Sequence, residues 1–166
     1  LRIRQRSHAV ESKQPLEHQP ERIAETTVKR FGMVISVGKK TKQDARTMWE
    51  LQETKFNCTI RRLLVDEYPE IIPSVNNLDS EFRLLCQSTK TNDQVMIYMN
   101  GILESDGFVC AGGGLWSGDM IMSAMERSAP GTTFWFLMDV PNGERLLGDR
   151  LCYNYVNNRT RLLGGP

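Results

Sequence analysis

Histidine is nearly absent from this chain: His8 and His18 are the only two, and both precede residue 20. Triad catalysis and most structural metal sites need imidazole close to a nucleophile or to other ligands, so this pair offers little to either. Cysteine is sparse too. Cys58, Cys86, Cys110 and Cys152 follow one another at intervals of 28, 24 and 42 residues, and no pair has metal-ligand spacing. Each sits among apolar neighbours, which reads as a buried free thiol and, through it, a reducing intracellular compartment. No metal site and no cofactor is expected.

Long apolar runs are missing as well, none approaching the roughly 20 residues of a membrane span. Neither charge sign dominates: 21 Lys and Arg face 20 Asp and Glu. No global field therefore steers the chain to nucleic acid or membrane. The phosphate loop, the dinucleotide fingerprint and the Gly-x-Ser-x-Gly elbow are all lacking. Asn57-Cys58-Thr59 and Asn158-Arg159-Thr160 match the glycosylation pattern, but a pattern this short recurs by chance. An enzyme is therefore the lesser expectation.

What is present has globular proportions, with 40% hydrophobic and 25% charged residues in 166. That length suits one domain able to bury most of its apolar surface. Leu1, not Met, opens the chain, as in a processed protein, a fragment, or part of something longer. Residues 1–22 form a polar arm with two prolines and no hydrophobic period. Alone it cannot bury enough to offset its ordering entropy, so it needs its own domain, a neighbouring subunit or nucleic acid to hold it. Arg2, Arg4 and Arg6 alternate and would share one side of an extended arm. Residues 23–166 are read as a single domain.

The chain is organised around Asp93 to Met125. Asp93 to Met99 alternates like a strand, and Asn100-Gly101 between two apolar runs predicts a two-residue hairpin. A bulge or second turn is expected at Asp106-Gly107. Gly112, Gly113 and Gly114 end the return strand. Ser117 then reads as the N-cap of a helix carrying Met120, Ile121, Ala124 and Met125 on one face, stopped near Pro130. Strand, glycine loop and helix start in that order can bind an anion, so Gly112, Gly113, Gly114, Ser117 and Gly118 are a candidate site for a small anionic ligand. Against it, the loop has no Lys or Arg, and Asp119 would repel a phosphate; a tight strand-to-helix connection with close packing is the plainer explanation of the glycines.

Elsewhere, Thr26 to Val37 predicts a strand, with a bend at Gly32. The basic turn Gly38 to Lys42 is expected to return as a strand from Arg46 to Leu51. Phe56, Ile60, Leu63 and Leu64 fit a helical face, with a strand over 58–65 as the alternative. A short helix is expected over Ser80 to Gln87, capped by Asp79 or Ser80. Asp66 to Glu81 is acidic, and would repel nucleic acid or dock a basic arm. Thr132 to Val140 reads as a central strand covered on both sides. Pro141-Asn142-Gly143 predicts another hairpin, followed by one strand broken at Gly148-Asp149 or two strands, over 145–151 and 152–156, and a last short strand over 160–163.

Strands joined by tight turns imply an α+β fold. The expectation is a mainly antiparallel sheet of about five to seven strands, two or three helices on one face or end, and an extended N-terminal arm. The leading functional expectation is a non-enzymatic subunit of a larger assembly, a ribonucleoprotein or virus particle, docking through residues 1–22 to a protein partner or to itself. The alternative is binding of RNA or single-stranded nucleic acid. Arg2, Arg4, Arg6, Lys39, Lys40 and Lys42 would supply charge there, and Trp135, Tyr153 and Tyr155 with Arg159 and Arg161 a stacking surface.

Overall fold

The computed structural model describes residues 27–38, 42–66, 71–148 and 159–164, with backbone alone for Lys42 and for 159–164. Helix and strand alternate along the chain. Strand β1 (Arg30–Ser36) leads to helix α1 (Lys42–Thr54), then β2 (Ile60–Val65), α2 (Val75–Gln87) and β3 (Gln94–Asn100). Three short strands follow: β4 (Leu103–Glu104), β5 (Gly107–Val109) and β6 (Leu115–Ser117). Then come α3 (Gly118–Met125), β7 (Thr133–Asp139), the single turn α4 (Glu144–Leu147) and β8 (Arg159–Gly164). The arm 1–22 and the expected strand over 152–156 lie outside the described residues.

The expected antiparallel sheet is not what forms. The main sheet has five strands in the order β2-β1-β3-β7-β8, and every neighbouring pair runs parallel. The antiparallel part is a separate three-stranded sheet, β4-β5-β6. The fold is α/β, and the correction has a local cause at Asn100-Gly101. No hairpin closes there, because the Val37 N–H donates to the Asn100 carbonyl at 3.0 Å and extends the β1–β3 ladder beyond Ser36. With β1 on one side and β7 on the other, β3 has no free edge for a return strand. The turn forms instead at Ser105-Asp106, where Ser105 takes φ 52° and Glu104 pairs with Gly107.

Four further readings are corrected. Residues 46–51 belong to helix α1: Ala45, Met48, Trp49 and Gln52 recur at helical spacing and turn inward, which a short window around Met48 and Trp49 conceals. Phe56 to Leu64 is no helix, and the strand alternative holds as β2. Pro141-Asn142-Gly143 does not make a hairpin but leads into α4, so no strand starts at Arg145. Helix α2 begins earlier than expected, with the Ser74 hydroxyl accepting from the Asn77 N–H at 3.3 Å.

Alternate residues divide the sheet into two unlike faces. Phe31, Met33, Ile35, Val95, Ile97, Met99, Phe134, Phe136 and Met138 face α2 and α3, and all are buried. Phe82 of α2 sits edge-on to Trp116, Phe134 and Phe136, with ring centroids 5.5, 6.3 and 6.5 Å away. Phe108 and Trp116 of the small sheet, with Cys110 just after β5, close this core. The opposite face lies against α1, where Val34, Ala45, Val65 and Tyr98 form a smaller core. Gly32 makes no bend there. It leaves room for the buried Gln52 side chain, whose amide donates to the Met33 and Met96 carbonyls at 3.3 Å each.

Candidate functional site

In an open parallel sheet, loops from neighbouring strands part to opposite faces where the strand order reverses, and the crevice lies at the carboxyl ends. Here β1 is followed by α1 on one face, while β3 is followed by the small sheet and α3 on the other. The crevice is therefore bordered by Ser36 to Gly38, by Asn100 and Gly101, and by the end of β7 at Asp139.

The side chains meeting there are polar. Tyr98 and Asn100 are each only 6% exposed, an uncommon condition for an asparagine. The Tyr98 hydroxyl donates to Asp139 Oδ2 at 3.3 Å, and Asn100 Nδ2 donates to the Tyr98 oxygen at 3.2 Å and to Asp139 Oδ2 at 3.0 Å. Burial pushes the Tyr98 phenol above its ordinary pKa; the Asn100 amide opposes that, while the charges of Asp139 and Asp44 add to it. Asp44, in the first turn of α1, thus stands close enough for the phenol to feel its charge. Asp66 accepts from the Gly38 N–H at 2.9 Å and closes the β1 side. Asp44, Asp66 and Asp139 are all exposed. The edge therefore offers carboxylate and phenol oxygens, acceptors suited to a donor-rich cation such as guanidinium.

Polar groups at the amino ends of the same strands behave differently. The buried Asp93 accepts from the Lys29 N–H at 2.8 Å and the Lys90 N–H at 2.7 Å, and the Thr132 hydroxyl donates to the Ala129 carbonyl at 2.7 Å. Their hydrogen bonds fasten backbone segments to one another.

The expected site residues lie only partly within the described residues. Arg2, Arg4, Arg6, Lys39, Lys40, Tyr153 and Tyr155 lie outside the described residues, and Lys42 opens α1 at the carboxyl edge. Trp135 is half-buried on β7. Register places it opposite Arg161, and Thr133 opposite Arg159, so these positions do share neighbouring strands. The glycine loop is a turn between β5 and β6, with Gly112 and Gly113 at φ 89° and 85°. The third glycine, Gly114, packs against Val75. Ser117 caps α3 as expected, its hydroxyl accepting from the Met120 N–H at 3.3 Å. Gly118 is the first residue of that helix and is buried. Cys58, Cys86 and Cys110 are free and buried. Among the described residues no cluster of His, Cys, Asp or Glu is arranged to hold a metal, and no helix is long and apolar enough to cross a membrane.

Sequence reading missed Tyr98, Asn100, Asp139 and Asp44. A signal was available, since two apolar strands, VMIYMN and FWFLMD, each end on a single polar residue. It becomes legible once the strands are known to be parallel. Scanned against protein-family models and searched against curated proteins, the chain matches none.

Proposed function

We propose that this chain is a non-enzymatic interaction subunit of a larger assembly, such as a ribonucleoprotein or virus particle, and that the carboxyl edge of its sheet receives arginine side chains from the N-terminal arm of a neighbouring copy. The observation that carries this reading is the network of Tyr98, Asn100 and Asp139 beside Asp44. A guanidinium has five donors in a planar fork, which suits carboxylate oxygens such as those of Asp139. Arg2, Arg4 and Arg6 supply three such groups on alternate positions of residues 1–22. A single exposed ion pair contributes only about 0–1 kcal/mol, so several must act together. Lys42 opens α1 at this edge, giving it a cation as well as carboxylates. A polypeptide carrying both signs suits that edge better than a polyphosphate does.

The test is size-exclusion chromatography with light scattering on the full chain, on a chain lacking residues 1–22, and on Asp44→Asn/Asp139→Asn. Self-association of the full chain alone is expected. Identical monomers in all three would overturn the reading.

RNA or single-stranded nucleic acid is the second reading, favoured by the register that puts Trp135 beside Arg161. It requires affinity that falls steeply with salt.

A further inference from the structure

We infer that a groove at the amino-terminal half of the sheet, on the face shared with α1, is a binding site for a small aromatic carboxylic acid. The groove encloses about 380 Å³, within the range of small-molecule pockets. It runs from Arg30 and Gln94 up to Leu137, the register partner of Tyr98, and its described lining includes none of Tyr98, Asn100 and Asp139.

Its floor is Met96 of β3 with Trp135 and Leu137 of β7, and its wall is Phe56 from the turn between α1 and β2. All four are half-buried, and Met96, Leu137 and Phe56 leave apolar surface for a ligand to cover. Indole and phenyl rings favour a flat aromatic partner through offset or edge-on contacts, and a thioether such as that of Met96 packs well at a ring edge.

Two cations, Arg30 and Lys55, complete the described lining, and among the described residues it includes no Asp or Glu. Arg30 is held in place: its Nε donates to Gln94 Oε1 at 3.1 Å and its Nη1 to the Phe56 carbonyl at 3.3 Å. Both acceptors are neutral, so the guanidinium is fixed in position while its charge is unmatched within the groove. Its field reaches inward. Burial raises the Cys58 thiol pKa above its ordinary value, and Arg30 and Arg61 pull against that rise. A preoriented guanidinium at the mouth of an apolar slot selects a ligand with one carboxylate at the end of a ring system.

The experiment uses the full chain labelled with ¹⁵N and titrated with 2-naphthoate, with 2-naphthylmethanol as a neutral counterpart of similar shape. Expected are saturable one-site binding of the acid, shifts centred on the Trp135 indole N–H, and at least tenfold weaker binding of the alcohol. Arg30→Gln changes an exposed side chain at the start of β1 and should keep the melting temperature while weakening the acid at least tenfold. Lys55→Gln should weaken it less. The inference is overturned if the acid does not saturate, if the shifts centre away from Trp135, or if acid and alcohol bind alike. It is overturned as well if folded Arg30→Gln binds the acid as the parent chain does.

Discussion

The same three strands present two different faces. Towards α2 and α3 the alternate residues of β1, β3 and β7 are Phe31-Met33-Ile35, Val95-Ile97-Met99 and Phe134-Phe136-Met138, apolar from end to end. Towards α1 they read Arg30-Gly32-Val34-Ser36, Gln94-Met96-Tyr98-Asn100 and Thr133-Trp135-Leu137-Asp139. Here the middles are mostly apolar, while both ends are polar or charged. Close packing is the whole purpose of the first face. The second packs against α1 at its centre and is polar at its ends, with Tyr98, Asn100 and Asp139 bonded to one another at the carboxyl end and Arg30 held by Gln94 at the amino end.

Adjacent substitutions on β7 test that division most strongly. Phe136→Ala empties a fully buried site and should cost about 3–5 kcal/mol. Leu137→Ala, half-buried on the other face, should cost at least 1 kcal/mol less, both read from urea unfolding midpoints. Equal costs would abolish the distinction.

The Gly32 position comes next, where the α1 face departs from close apolar packing. An added methyl there would collide with the Gln52 amide, so Gly32→Ala should lose about 1–3 kcal/mol. Gln52→Ala in the same chain should restore part of it. The Gln52 Oε1 atom is buried without a partner, which already makes this side chain a poor fit.

Alkaline pH separates the faces in another way. Burial pushes the Cys86 thiol, on the apolar face, up to about 12, and raises Cys110 as well. A raised pKa means that the folded chain keeps a proton the unfolded chain gives up. The associated stability is complete below the ordinary thiol value of 9.0 and is lost as pH rises towards 12. Denaturant midpoints should therefore fall across that range, and Cys86→Ala should flatten the fall. Tyr98, on the other face and less buried, should add to the decline only above pH 10.

The smallest effect is expected at the end of the small sheet. Ser117→Ala removes the α3 cap and should cost about 1 kcal/mol, visible as a lower melting temperature.

That cap was legible in the sequence because capping is local: a hydroxyl, an acid two residues on and an apolar period suffice. The β1, β3 and β7 strands were legible for the same reason, from their runs of β-formers. Strand direction was not, because it depends on what lies between the strands. Reading residues 46–51 as a strand removed the crossover helix that makes β1 and β2 parallel, and Asn100-Gly101 then looked like a hairpin. The polar carboxyl edge was lost with it. Asn100 was read for its turn propensity, whereas the fold uses its amide to bridge Tyr98 and Asp139.

The most direct test of the carboxyl edge is binding of a labelled peptide with the sequence of residues 1–8, LRIRQRSH, to a chain lacking residues 1–22, followed by fluorescence anisotropy. The account predicts saturable binding that weakens with salt and falls at least tenfold in Asp44→Asn/Asp139→Asn. Unchanged affinity in that variant, or no binding at low salt, would contradict it.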